Sequence, residues 1–265
     1  ATVVFIPFTS YISKVIIQYF PDEVIERDIN KPAILHLDES ALDEPTLAIN
    51  NANAEIRGVV GLMERVVGSM VKPFIEGADQ KDVEDSNVDF QDGMDQRIEK
   101  ISFLNQSISD YLLKTSRSEL SEDQTKEVYS LVSCTNYLDS MNNIVKTRFG
   151  AMLKNLNKDS KALSNDSQNE VLLYHKKMIK QLKRLNKFFE KFDRTKAEKI
   201  VQKMAKNKDL EEKYKLKVSQ KTKKAKGTKD DDKLYTDLME MLKQLNIFIE
   251  LIASSLLTLE EKSQA

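Results

Sequence analysis

The sequence lacks the residues that stabilise small secreted or β-rich proteins. Its one cysteine, Cys134, can form neither an internal disulfide nor a thiolate metal cage, so the chain needs no oxidising compartment. Seven glycines, five prolines, no tryptophan and 7% aromatic residues disfavour a β-sandwich, a β-barrel or a collagen-like chain. With 40% hydrophobic residues among 265, the chain can bury a real core, and disorder throughout is excluded. The composition therefore favours a helical protein of one large or two small domains.

Charge is distributed unevenly along the chain, although the formal net charge is only -1. Acidic residues outnumber basic ones by 19 to 8 from Asp22 to Lys100, whereas basic residues outnumber acidic ones by 21 to 7 from Val171 to Asp230. The basic part is either a solvated lysine face or a surface for an anionic partner. Because residues 203–226 carry no aromatic residue except Tyr214, we expect no nucleic-acid binding there and keep an anionic membrane surface as the alternative.

The N-terminal residues 1–20 form an apolar run with one charge, Lys14. Its length is enough for a membrane span, and it does not have the basic start of a secretory signal. We expect either the end of a last transmembrane helix, in a chain truncated at its N-terminus, or an apolar helix packed on a soluble domain. The two prolines Pro21 and Pro32 and an acidic stretch then predict an extended connector over residues 21–44.

From Pro45 onward the pattern is helical, since all five prolines lie within the first 73 residues. Apolar residues recur at spacings of three and four in six segments, and possible capping boxes begin at Ser121, Ser167 and Thr195. The polar run 157–169 divides these segments into two sets. The sequence therefore predicts an all-α fold with a first three-helix bundle at 45–156 and a second at 165–262, each antiparallel around its own core that includes Leu138 or Leu245.

Catalytic motifs are absent from the sequence. There is no glycine-rich phosphate loop, nucleophile elbow or kinase motif set. The two histidines, His36 and His175, are far apart in sequence, and Cys134 falls among core positions of the predicted third helix. We expect a protein that is not an enzyme.

Oxygen-bearing side chains occur at helical spacing in two places. Asp139 and Asn143 are four residues apart in the third predicted helix, and Asn246 and Glu250 are four residues apart in the sixth. Such side chains can bind a hard cation, although each pair has only one carboxylate. These four residues are the candidate metal ligands, and the alternative is that they are ordinary polar residues flanking the helix core.

The sequence from Pro45 onward resembles PhoU-like domains, which are two related three-helix bundles in tandem. The clearest segments are Tyr111–Ser121, which reads YLLKTSRSELS, and Tyr137–Ile144. The resemblance implies a divalent or iron-type metal at a Glu/Asp-x-x-x-Asp motif. This chain keeps Asp139 but has Asn143 in the final acidic place, and Asn246 stands where the second motif begins. No other cofactor is expected.

The N-terminal part resembles bacterial sodium/phosphate cotransporters, at the junction between the last membrane helix and a C-terminal PhoU-like domain. The residues that carry this likeness are the apolar run to Phe20 and the linker from Leu37 to Ala54. The resemblance implies a regulatory domain on the cytoplasmic side of the inner membrane, with its own upstream transmembrane region as partner. A free-standing soluble PhoU-like regulator is the alternative, and in either case we expect a homo-oligomer.

Overall fold

The computed structural model describes residues 32–75, 89–154, 163–190, 195–204 and 229–260. These residues are helical or connect helices, with no β-strand among them, which confirms the all-α class. The described residues from Ala33 onward belong to one compact unit. The predicted apolar helix at 1–20 and residues 205–226 of the predicted basic segment lie outside the described residues.

Helix α1 (Pro45–Ser69) begins at Pro45, as expected, and ends four residues before Pro73. Pro45 occupies the first turn, where the missing N–H costs no hydrogen bond. After Ser69 the chain turns through a short 3-10 helix, Lys72–Phe74, which contains Pro73. A proline cannot continue the hydrogen-bond ladder of an α-helix, so α1 ends before it.

Helices α2 (Phe90–Thr115) and α3 (Glu122–Ile144) follow, each with a capped start. Asp89 caps α2. The predicted capping box of α3 is confirmed, because Ser121 Oγ accepts from the Gln124 N–H and Gln124 Oε1 accepts from the Ser121 N–H. The chain of α3 continues through a π-helical turn, Val145–Phe149, into the short helix Gly150–Lys154.

The π-helical turn, which the sequence pattern did not predict, places Phe149 in an aromatic cluster. The Phe149 ring lies edge-on to Phe74 at 6.0 Å and to Phe90 at 6.4 Å between ring centroids. All three rings are buried, and such edge-to-face pairs add stability beyond the area they bury. The cluster joins the end of α1, the start of α2 and the end of α3.

The second half contains α4 (Asn165–Glu190), α5 (195–204) and α6 (Lys229–Glu260). Helix α4 begins before the predicted capping residue Ser167, which is buried inside the helix. Its first turn is capped by Ser164, whose Oγ accepts from the Ser167 N–H at 3.4 Å. The prediction of Ser167 as the cap was therefore wrong by one turn.

Four helices enclose the centre of the unit. Helix α1 packs on α3 and α4, and α6 also packs on α3 and α4, so these four form a closed ring, while α2 packs on α1 and α3. Their buried apolar residues form one continuous core, in which Leu138 and Leu245 are fully buried. This core includes buried residues from both halves of the described chain. The finer grouping into two tandem three-helix bundles stays a prediction.

Candidate functional site

The first candidate metal pair lies on the flank of α3. Asn143 donates from Nδ2 to Asp139 Oδ2 at 3.0 Å, so the two side chains are joined as their helical spacing predicts. Asp139 is half-buried and Asn143 is exposed. The carboxylate is therefore occupied by a neutral amide donor from the same helix.

The second pair lies on α6, and its two members have different surroundings. Asn246 is 2% exposed and donates from Nδ2 to the Tyr174 hydroxyl of α4 at 3.2 Å, while its Oδ1 is buried without a hydrogen-bond partner. Glu250, one turn further on, is half-buried. Asn246 is thus engaged in the interior contact between α4 and α6.

Helices α3 and α6 hold the two pairs on antiparallel, directly packed elements. The rings of Tyr137 and Phe248 have centroids 6.1 Å apart, and Arg148 forms an ion pair with Glu240 at 3.6 Å. Despite this packing, no group of three or more histidine, cysteine or carboxylate side chains that could hold a metal occurs within the described part of the chain.

The donor set at these positions is a poor fit for a hard cation, because it offers two carboxylates and two amides, one of which is turned to the interior. Metal binding by Asp139, Asn143, Asn246 and Glu250 stays a prediction of the resemblance.

The side chains of Cys134 and His175, which could act as a nucleophile or a base, are both buried inside the helical unit. Cys134 is completely buried, and burial raises the pKa of its thiol, which keeps it protonated. His175 is buried and its Nε2 lies 2.7 Å from the carbonyl oxygen of Val67, to which it donates. That carbonyl lies in the last turn of α1, where backbone acceptors lack a partner within the helix. Burial lowers the pKa of His175, so the neutral ring is favoured.

A polar cluster that the sequence did not indicate holds residues 33–44, here named the strap, against the helices. Glu55 of α1 is 2% exposed, and its Oε2 accepts from the backbone N–H of Leu35 at 3.1 Å and of His36 at 2.7 Å. These are charge-assisted hydrogen bonds, and they compensate the cost of burying the carboxylate.

The strap has further contacts with α2 and the loop that follows it. The Tyr111 hydroxyl donates to the Asp38 carbonyl at 2.8 Å, and the Ser118 hydroxyl donates to the Leu42 carbonyl at 3.1 Å. Lys114 and Glu39 form an exposed ion pair. The strap is therefore fastened to three places that are 19 to 76 residues away in sequence.

The strap has an internal turn of its own. Residues Glu39–Asp43 form a 3-10 helix capped by Asp38, whose Oδ1 accepts from the backbone N–H and the hydroxyl of Ser40. These hydrogen bonds lower the pKa of Asp38. Ala41 is the one strap residue buried in the core, with Leu37 and Leu42 packed against it.

Next to the strap, a groove of about 580 Å³ opens between the end of α2 and the start of α3. Its lining carries no charged side chain and consists of aliphatic groups and hydroxyls: Ser109, Leu112, Leu113, Ser116, Ser118, Leu120, Thr125, Val128, Tyr129 and Val132. The volume is in the range of small-molecule pockets. Ser118 both lines the groove and holds the strap. The groove can therefore take an uncharged group. A movement of Ser118 in the groove wall would also move its hydrogen bond to the strap.

Comparisons with protein-family models, with curated proteins and with solved structures find no match for this chain. Within the described ranges, none of the helices combines the length and the apolar character that crossing a membrane requires.

Proposed function

We propose that this chain is a cytoplasmic PhoU-like regulatory domain of a sodium-dependent phosphate transporter and that it modulates phosphate uptake by an upstream transmembrane region. The supporting observation is that two of the segments which carry the resemblance, the linker and Tyr111–Ser121, touch each other. Tyr111, Lys114 and Ser118 belong to the YLLKTSRSELS segment, and they hold Asp38, Glu39 and Leu42 of the strap in the linker region.

This contact supports a regulatory role for a physical reason. The strap is the described segment that leads into α1, and it is tied to α1, to α2 and to the loop before α3. A shift of the helices relative to one another would therefore displace the strap. In the same way, a displacement of the strap would pull on the helices to which it is bonded. Such coupling changes transport only if a ligand or partner has different affinities for the two arrangements.

The proposal places the helical unit at the cytoplasmic face of the inner membrane. Its first partner is the transmembrane region of the same protein, and the basic residues 203–226 would meet anionic lipid. We further propose that the protein is a homo-oligomer. Loss of salt-sensitive vesicle binding after several lysines in 203–226 are changed to Gln would support the lipid contact.

The coding sequence upstream of Ala1 in the source DNA tests the proposal. A transporter domain requires several apolar spans with Gln-Ser-Ser repeats in the same reading frame. A start codon immediately before Ala1 would contradict it.

The alternative is a free-standing PhoU-like regulator of phosphate transport or signalling. It predicts that the whole chain is monodisperse without detergent, because the apolar residues 1–20 would then pack as an additional helix. Size-exclusion chromatography of the full chain with and without detergent separates the two proposals.

A further inference from the structure

The strap is attached to the helical unit mainly through polar contacts. Leu35 is 71% exposed, and only Ala41 of the strap is buried. The helices beneath it are held by a continuous apolar core. Segments with few buried apolar contacts open at a lower free energy than the core of the same protein.

Glu55 fixes where the strap lies on the helices. One carboxylate oxygen accepts two successive backbone N–H groups, those of Leu35 and His36, and the residue is almost fully buried. Among the residues that the structure describes, the strap amides are the donors that bind this carboxylate and stabilise its charge. When the strap leaves, water can take the place of those amides, and the ion pair between Lys114 and Glu39, which is already exposed to solvent, is broken as well.

The closed and open arrangements therefore each satisfy the carboxylate, in one case with backbone amides and in the other with water. The apolar core needs no rearrangement between them, because the strap contributes one small buried residue, Ala41, and the flanking Leu37 and Leu42 to it.

We propose that the strap opens and closes on the intact helical unit and that Glu55 is the group that holds it shut. Its use as the link between the helices and a transmembrane region rests on the proposed function, whereas the opening itself does not. In the open arrangement, Tyr111 and Ser118 are also released, and Ser118 lines the groove between α2 and α3. A ligand that occupies the groove would thus bias the strap.

Amide hydrogen exchange of the full chain, resolved to single residues, tests the proposal. The amides of Leu35 and His36 should exchange faster than those of Val59 and Val60 in the middle of α1, by on the order of 100-fold or more. Equal protection of the strap and of α1 would mean that the strap opens only by global unfolding and would overturn the proposal.

Variants sharpen this test. Glu55→Gln removes the charge while keeping the shape, and it should speed exchange at Leu35 and His36 by roughly 10- to 100-fold with exchange in α1 unchanged. Glu44→Gln is the matched control, because Glu44 is exposed and makes no capping hydrogen bond. Unchanged strap exchange in Glu55→Gln, or an equal increase in α1, would contradict the role of Glu55.

If Glu55→Gln does not fold, Tyr111→Phe serves in its place. It removes the hydroxyl that donates to the Asp38 carbonyl and keeps the ring packed. We expect several-fold faster exchange in the strap alone. Because neither readout involves transport, failure of the strap proposal and failure of the transporter proposal remain distinguishable.

Discussion

The strap and the flank of α3 use polar side chains in opposite ways. At the strap, Glu55 and Tyr111 bind backbone groups many residues away, and Glu55 is buried. On the flank of α3, Asn143 binds Asp139 one turn earlier on the same helix, near solvent. The first arrangement fixes one chain segment on another, whereas the second leaves the tertiary structure unaffected.

In a helical protein without catalytic motifs, polar residues that bind distant chain segments are therefore better functional candidates than polar pairs within one helix. A local i, i+4 pair contributes only a few tenths of a kcal/mol to a helix. A buried charge that binds distant backbone amides decides whether a segment stays attached. The predictions below compare buried and exposed members of matched pairs.

The largest loss of folding stability is expected when a charge is placed in the core beneath the α3 flank. Leu138→Asp buries an unpaired carboxylate at a position with no exposure, which should cost more than about 4 kcal/mol and unfold the helical unit. Ile247→Asp on α6 is the control, because Ile247 is 52% exposed. Thermal melting followed by circular dichroism measures both, and equal melting temperatures would contradict the core assignment.

Asn142 and Asn143 are neighbours with different surroundings. Asn142 is fully buried and donates to the Ile98 carbonyl and to Ser102 Oγ, both at 2.9 Å. Asn142→Ala should lower the free energy of unfolding by about 1–3 kcal/mol, whereas Asn143→Ala should change it by less than about 0.5 kcal/mol. Urea unfolding of the two variants gives the comparison, and the reverse order would show that the exposed pair matters more.

The burial of His175 predicts that the stability of the helical unit depends on pH. The pKa of His175 is lowered by burial from its ordinary value of 6.5, so the unfolded chain binds more protons than the folded one as the pH falls below 6.5. The stability from neutral His175 is therefore complete above pH 6.5 and is lost on acidification towards the lowered pKa.

His175→Gln should remove this loss from the pH dependence of unfolding between about pH 5 and pH 7, whereas His36→Gln in the exposed strap should retain it. Asp95 and Glu127, whose pKa values burial raises, act in the opposite direction, and they are the same in both variants. Parallel pH profiles for wild type and His175→Gln would contradict the burial of His175 as the cause of the pH dependence.

The smallest loss of folding stability is expected for a residue on the surface of the groove. Tyr129 is 71% exposed, so Tyr129→Ser should alter the free energy of unfolding by less than about 0.5 kcal/mol. Tyr111→Phe, at the strap, should cost about 1 kcal/mol through its lost hydrogen bond. Chemical unfolding resolves the two, and a larger loss for Tyr129 would show that the groove wall is structural.

The sequence predicted what depends on local pattern. The helix starts at Pro45 and Ser121 follow from proline geometry and the capping box, and the stripe positions Leu138 and Leu245 are buried as their spacing indicated. Periodicity could not predict the role of Glu55, because that role depends on chain segments that meet only after folding. The ring of α1, α3, α6 and α4 is also decided by contacts between the halves.

At the candidate metal site, too, the sequence indicated the local geometry but not the tertiary contacts. The spacing of Asp139 and Asn143 correctly indicated a shared helix face, but nothing local revealed that Asn246 binds Tyr174 in the interior. A weak signal for the strap was present in the acidic residue Glu55, which stands directly before the apolar stripe that begins at Ile56. An acid beside a core stripe is a candidate for a buried partner elsewhere in the chain.

The proposed regulatory function requires that the strap connects this helical unit to phosphate transport. Sodium-dependent phosphate uptake by the intact protein in cells, at matched membrane abundance, tests it most directly. The account predicts that Glu55→Gln changes the uptake rate or its response to external phosphate, while Glu44→Gln behaves as wild type. Identical uptake by all three proteins, with the strap shown to be loosened in Glu55→Gln, would contradict it.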